Sequence, residues 1–379
     1  MNIDGICDDK FASVRSVFED NFSEREDVGA SFAVSIDGEM VIDLWGGFAD
    51  EAKSRPWQSD TIVNVYSTTK TMAALCMLLL VDRGELDLDA DVASYWPEFA
   101  VNGKDQVKVR HFLSHSAGLS GLDESVGEYD LYDWAKITSL LAAQAPWWEP
   151  GSQSGYHAIT QGYLIGEVVR RITGRSLGTF FAEEIAQPLQ ADFHIGVDEA
   201  IFGRIGEMIP PQAPPQQQFG AQPDSIASRT FRSPPIDALW SLNPDWRKAE
   251  IPAANGHGNA RSVVRAQTPV ACGGSAFGVD LLGSATVSRI FEEQTNGTDL
   301  VLGTPLRFGM GYGLQSEAAP MGPNQNVCYW GGWGGSLALI DCDARVCISY
   351  VMNKMVATTT GDPRSSALVA ATYQTLTGG

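Results

Sequence analysis

The 379-residue chain is short of cations, cysteine and histidine, and it lacks any long apolar run. Lys and Arg total 26 against 46 Asp and Glu, a formal charge of −20. So acidic a chain repels phosphate backbones and anionic lipid, which argues against nucleic acid and membrane surfaces as partners. The longest apolar stretch, 72–81, has ten residues, too few to span a bilayer. Six cysteines, at 7, 76, 272, 328, 342 and 347, show no CxxC or other metal-type spacing. The opening stretch MNIDGICDDKFASVRSVFEDNF carries acids where a secretory signal needs a basic end and an apolar core. Reduced thiols and a cytoplasmic location are therefore expected. Cys342 and Cys347 flank a turn, and buried thiols are expected there over a cross-strand disulfide. No G-x-S-x-G pentapeptide occurs, which argues against an α/β-hydrolase.

What is present suits a packed protein. Hydrophobic residues make up 44% and charged residues 19% of the chain, which excludes a disordered or fibrous polymer. Residues 10–22 read as an amphipathic helix with Phe11, Val14, Val17 and Phe18 on one side. Two alternating runs, 30–36 and 40–44, flank Asp37-Gly38, a strong hairpin signal. Residues 67–83 read as a helix buried nearly all round and closed by Gly84. Further helices are expected within 158–188, 259–272, 280–294 and 362–377, and strands at 326–331, 335–341 and 346–352. Strands at both chain ends with helices between them predict one antiparallel sheet built from both termini. Residues 209–255 are rich in proline, among them 210, 211, 214, 215, 223, 234 and 235, and carry a Gln run. They predict an extended, irregular lid or pocket wall, with Phe219, Phe231, Trp240 and Trp246 to line it.

Three stretches carry candidate chemistry. Ser67 and Lys70 open the buried helix at spacing i, i+3, so the amine reaches the hydroxyl on one helical face. Serine is a weak nucleophile until a base takes its proton, and burial turns a lysine into such a base. The free N–H groups at this helix start suit a developing oxyanion. Alone, Ser-x-x-Lys is as readily a helix cap. Tyr156, in Gly155-Tyr156-His157-Ala158, follows 89 residues after Ser67. A phenol beside a lysine can relay protons, although a lone buried tyrosine is more often structural. Tyr329-Trp330-Gly331-Gly332-Trp333-Gly334-Gly335-Ser336 places four glycines in five positions, which permits close backbone approach by an edge strand. By itself it equally describes a bulge or turn.

Together these pieces resemble the three-motif series of the class C β-lactamase and penicillin-binding-protein superfamily, closest to its family VIII carboxylesterase branch. His111 to Leu119 (HFLSHSAGL), the Trp148-Glu149-Pro150-Gly151 turn and Phe308 to Leu314 (FGMGYGL) are similar to further stretches of that family. The resemblance covers residues 10–375. It implies an α+β, serine β-lactamase-like fold: a five-stranded antiparallel sheet flanked by terminal helices, plus a mostly helical lobe. The expected division is 1–65 with 258–379 for the sheet lobe, and 66–257 for the helical lobe including the 209–255 segment. It further implies Ser67 as nucleophile, Lys70 as its base or proton-sharing partner, and Tyr156 as general base in acylation and acid toward the leaving group. The backbone N–H groups of Ser67 and Trp333 would form the oxyanion hole, with Trp330, Gly331, Gly332 and His257 contacting substrate.

Two departures bear on substrate. Trp330-Gly331-Gly332 replaces the Lys-Thr-Gly of the β-lactamases, removing a cation that holds a substrate carboxylate. Ala158 replaces the amide of Tyr-x-Asn. Both favour a serine carboxylesterase acting on small neutral esters, with no cofactor and no metal. Acyl transfer to an alcohol, weak β-lactam hydrolysis and a non-catalytic scaffold on the same fold are the alternatives. His111 and His115 have the i, i+4 spacing of a metal pair, but no HExxH and no third ligand accompany them.

Overall fold

The Asp37-Gly38 turn seeds the main sheet. Both residues take positive φ, 51° and 83°, as a two-residue hairpin turn requires. They join strand β2 (Gly29–Ile36) to β3 (Glu39–Gly47). This is a computed structural model, and it describes residues 2–211, 222–357 and 361–378. The chain's last strands, β12 (Val327–Gly331), β13 (Leu337–Asp341) and β14 (Val346–Met352), form a meander. It docks antiparallel on β2, with Ile348 opposite Val34 and Tyr350 opposite Phe32. The five-stranded sheet joining both chain ends is thus formed. It extends to nine strands by β1 (Ile3–Cys7) beside β3, and by the short β9 (Thr295–Thr298), β10 (Pro305–Phe308) and β11 (Gly313–Leu314) beside β12. Each of those additions is five residues or shorter, below what an alternation pattern reveals.

Six helices of ten or more residues occur among the described residues: α1 (Ala12–Glu24), α2 (Thr69–Asp82), α3 (Trp134–Ala143), α4 (Thr160–Thr173), α5 (Ala260–Ala271) and α6 (Pro363–Thr377). Helix α5 packs on β14, β2 and β13, and α1 packs on α6. Helix α2 buries every residue from Thr69 to Leu80, as an all-round apolar helix must. The helix expected over 280–294 is confined to Ser284–Arg289. No described helix is long and apolar enough to cross a membrane. All six cysteines are free thiols.

The 209–255 segment differs from expectation. Its described part holds helices Ile226–Arg232 and Pro244–Lys248 and a 3-10 turn Ala238–Leu242. Pro244 stands in the first turn of its helix, where a missing N–H costs nothing. Phe219 lies outside the described residues. Trp246 is a buried core residue whose indole N–H donates to Asn64 Oδ1 at 2.7 Å.

Candidate active site

A tight backbone turn presents Ser67. Residues Tyr66–Thr68 form one 3-10 turn that runs into α2, and Tyr66 holds φ at +46°. Thr69 Oγ1 donates to Tyr66 O at 2.5 Å and accepts from Gly256 N–H at 2.9 Å. The Ser67 turn is thereby tied to strand β6 (Gly256–Gly258).

Lys70 and Tyr156 converge on the Ser67 hydroxyl. Lys70 Nζ lies 3.1 Å from Ser67 Oγ, and the Tyr156 hydroxyl donates to it at 2.5 Å. Lys70 also donates to Ala158 O at 2.7 Å and Ala253 O at 2.9 Å. No acidic side chain pairs with it among the described residues, and burial drives its amine well below the ordinary lysine range. Burial pushes the Tyr156 phenol the other way, up to about 12, with the Ser67 and Trp330 groups partly offsetting the rise. Lys70 Nζ sits 4.8 Å from the Tyr156 ring centroid.

The glycine-rich stretch passes directly beside this pair. A Cβ at Gly332 would collide with the Val65 carbonyl oxygen and Ser336 Oγ, which explains why that position carries none. Ser336 Oγ donates to Val65 O at 2.8 Å and lies 2.9 Å from Thr68 Oγ1, stitching β13's approach to the turn bearing Ser67. Arg364, paired with Asp27 and Asp362, donates from Nη2 to Gly334 O at 3.1 Å. Among the described residues the Ser67 and Trp333 backbone N–H groups have no acceptor. Tyr66 and Trp333 meet edge to face, with ring centroids 5.2 Å apart.

These groups open on a cavity of about 790 Å³. Ser67, Tyr156, Trp330, Gly331, Gly332 and Trp333 all line it. Phe231, Ile236, Leu302, Leu306 and Val369 supply much of the remaining wall, so the segment 222–255 contributes through Phe231, Ile236 and Ala254 rather than through Trp240 or Trp246. Among the described residues the wall contains no Lys or Arg. Its one charged side chain is Asp362, which the Arg364 guanidinium pairs.

His257 does not reach the cavity. It lies in β6, wholly buried, with Nδ1 2.8 Å from Asn255 O, and burial lowers it to about 3. Its partners are the short strands holding Asn64 and His194. A glycine-flanked histidine reads alike in a buried strand and in a pocket wall. His111 and His115 do not share a helical face either. The helix Val109–Leu113 ends before His115, whose φ is +57°.

Sequence reasoning missed Asp299. Its Oδ1 accepts from the Tyr156, Val301 and Leu302 N–H groups at 2.9–3.0 Å, pinning the Tyr156 backbone from the turn between β9 and β10. No motif marks it, because the contact spans 143 residues.

A serine with a buried lysine that has no acidic partner among the described residues and a tyrosine on its hydroxyl, set against an antiparallel sheet, defines a class of active-site-serine proteins. The Beta-lactamase family model matches residues 18–371, and the chain belongs to that family. It is 35% identical over 363 residues to the esterase/β-lactamase LipL of Mycobacterium tuberculosis, covering 93% of this chain and 83% of that one. A solved family VIII carboxylesterase superposes with a TM-score of 0.92 at 41% identity, covering 99% of this chain and all of that one. A penicillin-binding-protein homologue from Caulobacter crescentus superposes equally, with TM-score 0.92, 41% identity and the same coverage.

Proposed function

We propose that the chain is a serine carboxylesterase that cleaves neutral carboxylic esters through an acyl-enzyme on Ser67. The observation that carries this reading is the convergence of Lys70 Nζ and the Tyr156 hydroxyl on Ser67 Oγ, in a cavity wall without a cation. The names of LipL and of the family VIII carboxylesterase support it.

The opposed shifts of Lys70 and Tyr156 suggest where the protons sit. A neutral lysine has two N–H donors and a lone pair, and the Ala158 and Ala253 carbonyls take the two donors. The lone pair then faces the Ser67 hydroxyl. In this reading Lys70 accepts the Ser67 proton as Oγ attacks the ester carbon, so lysine is the first base and tyrosine keeps its proton. The carbonyl oxygen takes the negative charge between the Ser67 and Trp333 N–H groups. On collapse the C–O bond to the alcohol breaks, Tyr156 protonates the leaving oxygen, and Lys70 returns its proton to the phenolate. Water then attacks the acyl carbon by the reverse relay, releasing the acid and restoring Ser67.

With Trp330 in place of a lysine, the described residues of the wall offer no cation to a substrate carboxylate, so the preferred ester is uncharged. At about 30 Å³ per water-sized group, the cavity holds about two dozen such groups, room for apolar substituents on both sides of the ester. We place the site between the sheet lobe, 1–65 with 258–379, and the helical lobe, 66–257, and expect the protein in the cytoplasm.

Intact mass after exposure to a p-nitrophenyl ester and to a fluorophosphonate tests the reading. One adduct and nitrophenol release are expected from wild type and neither from Ser67→Ala. An unlabelled wild type that releases nothing would turn the reading toward a binding role. The β-lactamase half of LipL's name warrants a nitrocefin assay, where turnover slower than on neutral esters is expected.

A further inference from the structure

We infer that His115 is a positioning residue for Tyr156, holding the backbone on both sides of the phenol with two different atoms. The inference rests on the acyl-enzyme reading above. Gly155 N–H donates to His115 O at 2.9 Å, and His157 N–H donates to His115 Nδ1 at 3.0 Å. Tyr156 N–H between them goes to Asp299 Oδ1 at 3.0 Å. Three consecutive amides are thus held by two residues distant in sequence. The His115 ring also packs on the phenol, with centroids 4.9 Å apart, and on Phe308 at 5.0 Å.

The local chain explains how one residue does both. The helix Val109–Leu113 stops, Ser114 caps it, and His115 turns into left-handed backbone at φ +57°. That conformation brings its own carbonyl and its ring nitrogen to the same neighbouring strand of chain. An acceptor at Nδ1 requires a neutral ring protonated at Nε2, and burial keeps the ring uncharged. The next clasp is built alike: His157 Nδ1 lies 2.6 Å from Gly155 O, while its Nε2 accepts from Leu119 N–H at 3.1 Å.

The test separates the Nδ1 acceptor from bulk and backbone. His115→Asn keeps an acceptor at the δ1 position and tolerates left-handed φ. His115→Leu keeps bulk without the acceptor, and His115→Gly keeps the backbone without it. With p-nitrophenyl acetate, Leu and Gly are expected to lower kcat about 100-fold, the scale of a displaced catalytic group, with KM within about threefold. Asn should recover at least about tenfold of that loss. Placed on Tyr156→Phe, His115→Gly should cost less than about threefold more, because the group it positions is gone. The inference is overturned if Gly and Leu retain wild-type kcat, if Asn is as impaired as they are, or if the loss is fully additive with Tyr156→Phe. A wild type that forms no Ser67 adduct would overturn the acyl-enzyme reading itself and this inference with it.

Discussion

Lys70 and Lys104 are both buried lysines with no acidic partner among the described residues, yet only one belongs to a site. Lys104 Nζ donates to Val101 O at 2.9 Å and to Gln144 O, and lies 5.1 Å from the Phe99 ring centroid. Lys70 likewise donates to two carbonyls, Ala158 and Ala253. Burial depresses both amines, Lys104 to about 8 and Lys70 well below the ordinary lysine range. The difference is the third neighbour. Lys70 faces a hydroxyl that opens on the cavity, whereas Lys104 faces an aromatic ring inside a loop. A depressed amine is therefore a consequence of burial, and chemistry begins where its lone pair meets a group that has a proton to give.

The largest effect should break the two apart. Lys70→Ala is expected to lower kcat about 10⁴-fold, removing the proposed base from an otherwise intact pocket. Lys104→Met should leave kcat within about twofold. Equal losses in the two variants, read by steady-state hydrolysis of a p-nitrophenyl ester, would mean that Lys70 is only a packing residue. Tyr156→Phe comes next, with a loss of about 10²–10³-fold. Ser67 keeps its base in that variant and the tyrosine acts on the leaving group, so labelling by the fluorophosphonate should stay near the wild-type rate. Labelling slowed as far as kcat would mean that the tyrosine, and not Lys70, is the base in the attack.

The two amines should also part company in their pH dependence. In the proposed mechanism kcat/KM rises with pH as Lys70 loses its proton, with a midpoint well below the ordinary lysine value of 10.5. Lys104 acts on stability instead. Its folded value, about 8, lies below its unfolded one. Below pH 8 both states hold the proton and stability is flat in this group. Between about 8 and 10.4 the unfolded state binds more protons, so stability rises with pH. The Tm of wild type relative to Lys104→Met should therefore climb from pH 8 to pH 10. A Tm difference independent of pH would mean that Lys104 keeps an ordinary value when folded.

Sequence pattern reached Lys70 and not its look-alike because helical spacing is local. Ser67 and Lys70 face each other by i, i+3 geometry alone, and the later motifs follow in recognisable order. The strands β2 and β3 were equally legible, since Asp37-Gly38 fixes their turn and alternation fixes their faces. Features that depend on distant pairing were not. Asp299 meets Tyr156 only after β9 and β10 have joined the sheet edge. His115 acts through a left-handed φ that a histidine seldom adopts. The prolines of 222–255 concealed two short helices: Ile226–Arg232 lies between Pro223 and Pro234, and Pro244 stands in the first turn of the other, where proline is favourable. His257 was misplaced for the opposite reason: a strand of three residues gives no period to show that it is buried.

The smallest expected effect concerns charge that the cavity lacks. Trp330 stands where the β-lactamases carry a lysine, and its ring lies 5.4 Å from the Tyr156 ring. Trp330→Lys would set a cation near both Tyr156 and the substrate, while Lys70 keeps its buried place. A cation beside the phenol favours the phenolate and shifts the general-acid limb of the profile downward. It would also pair with a carboxylate on the substrate. A partly solvated pair of this kind contributes about 1 kcal/mol, or about fivefold in kcat/KM. The ratio of a p-nitrophenyl hemisuccinate to a p-nitrophenyl butyrate rate should therefore rise about fivefold, with the neutral ester losing some activity because the indole wall is gone. An unchanged ratio would mean that substrate charge is excluded elsewhere, and that the neutral wall at Trp330 does not set the choice of ester.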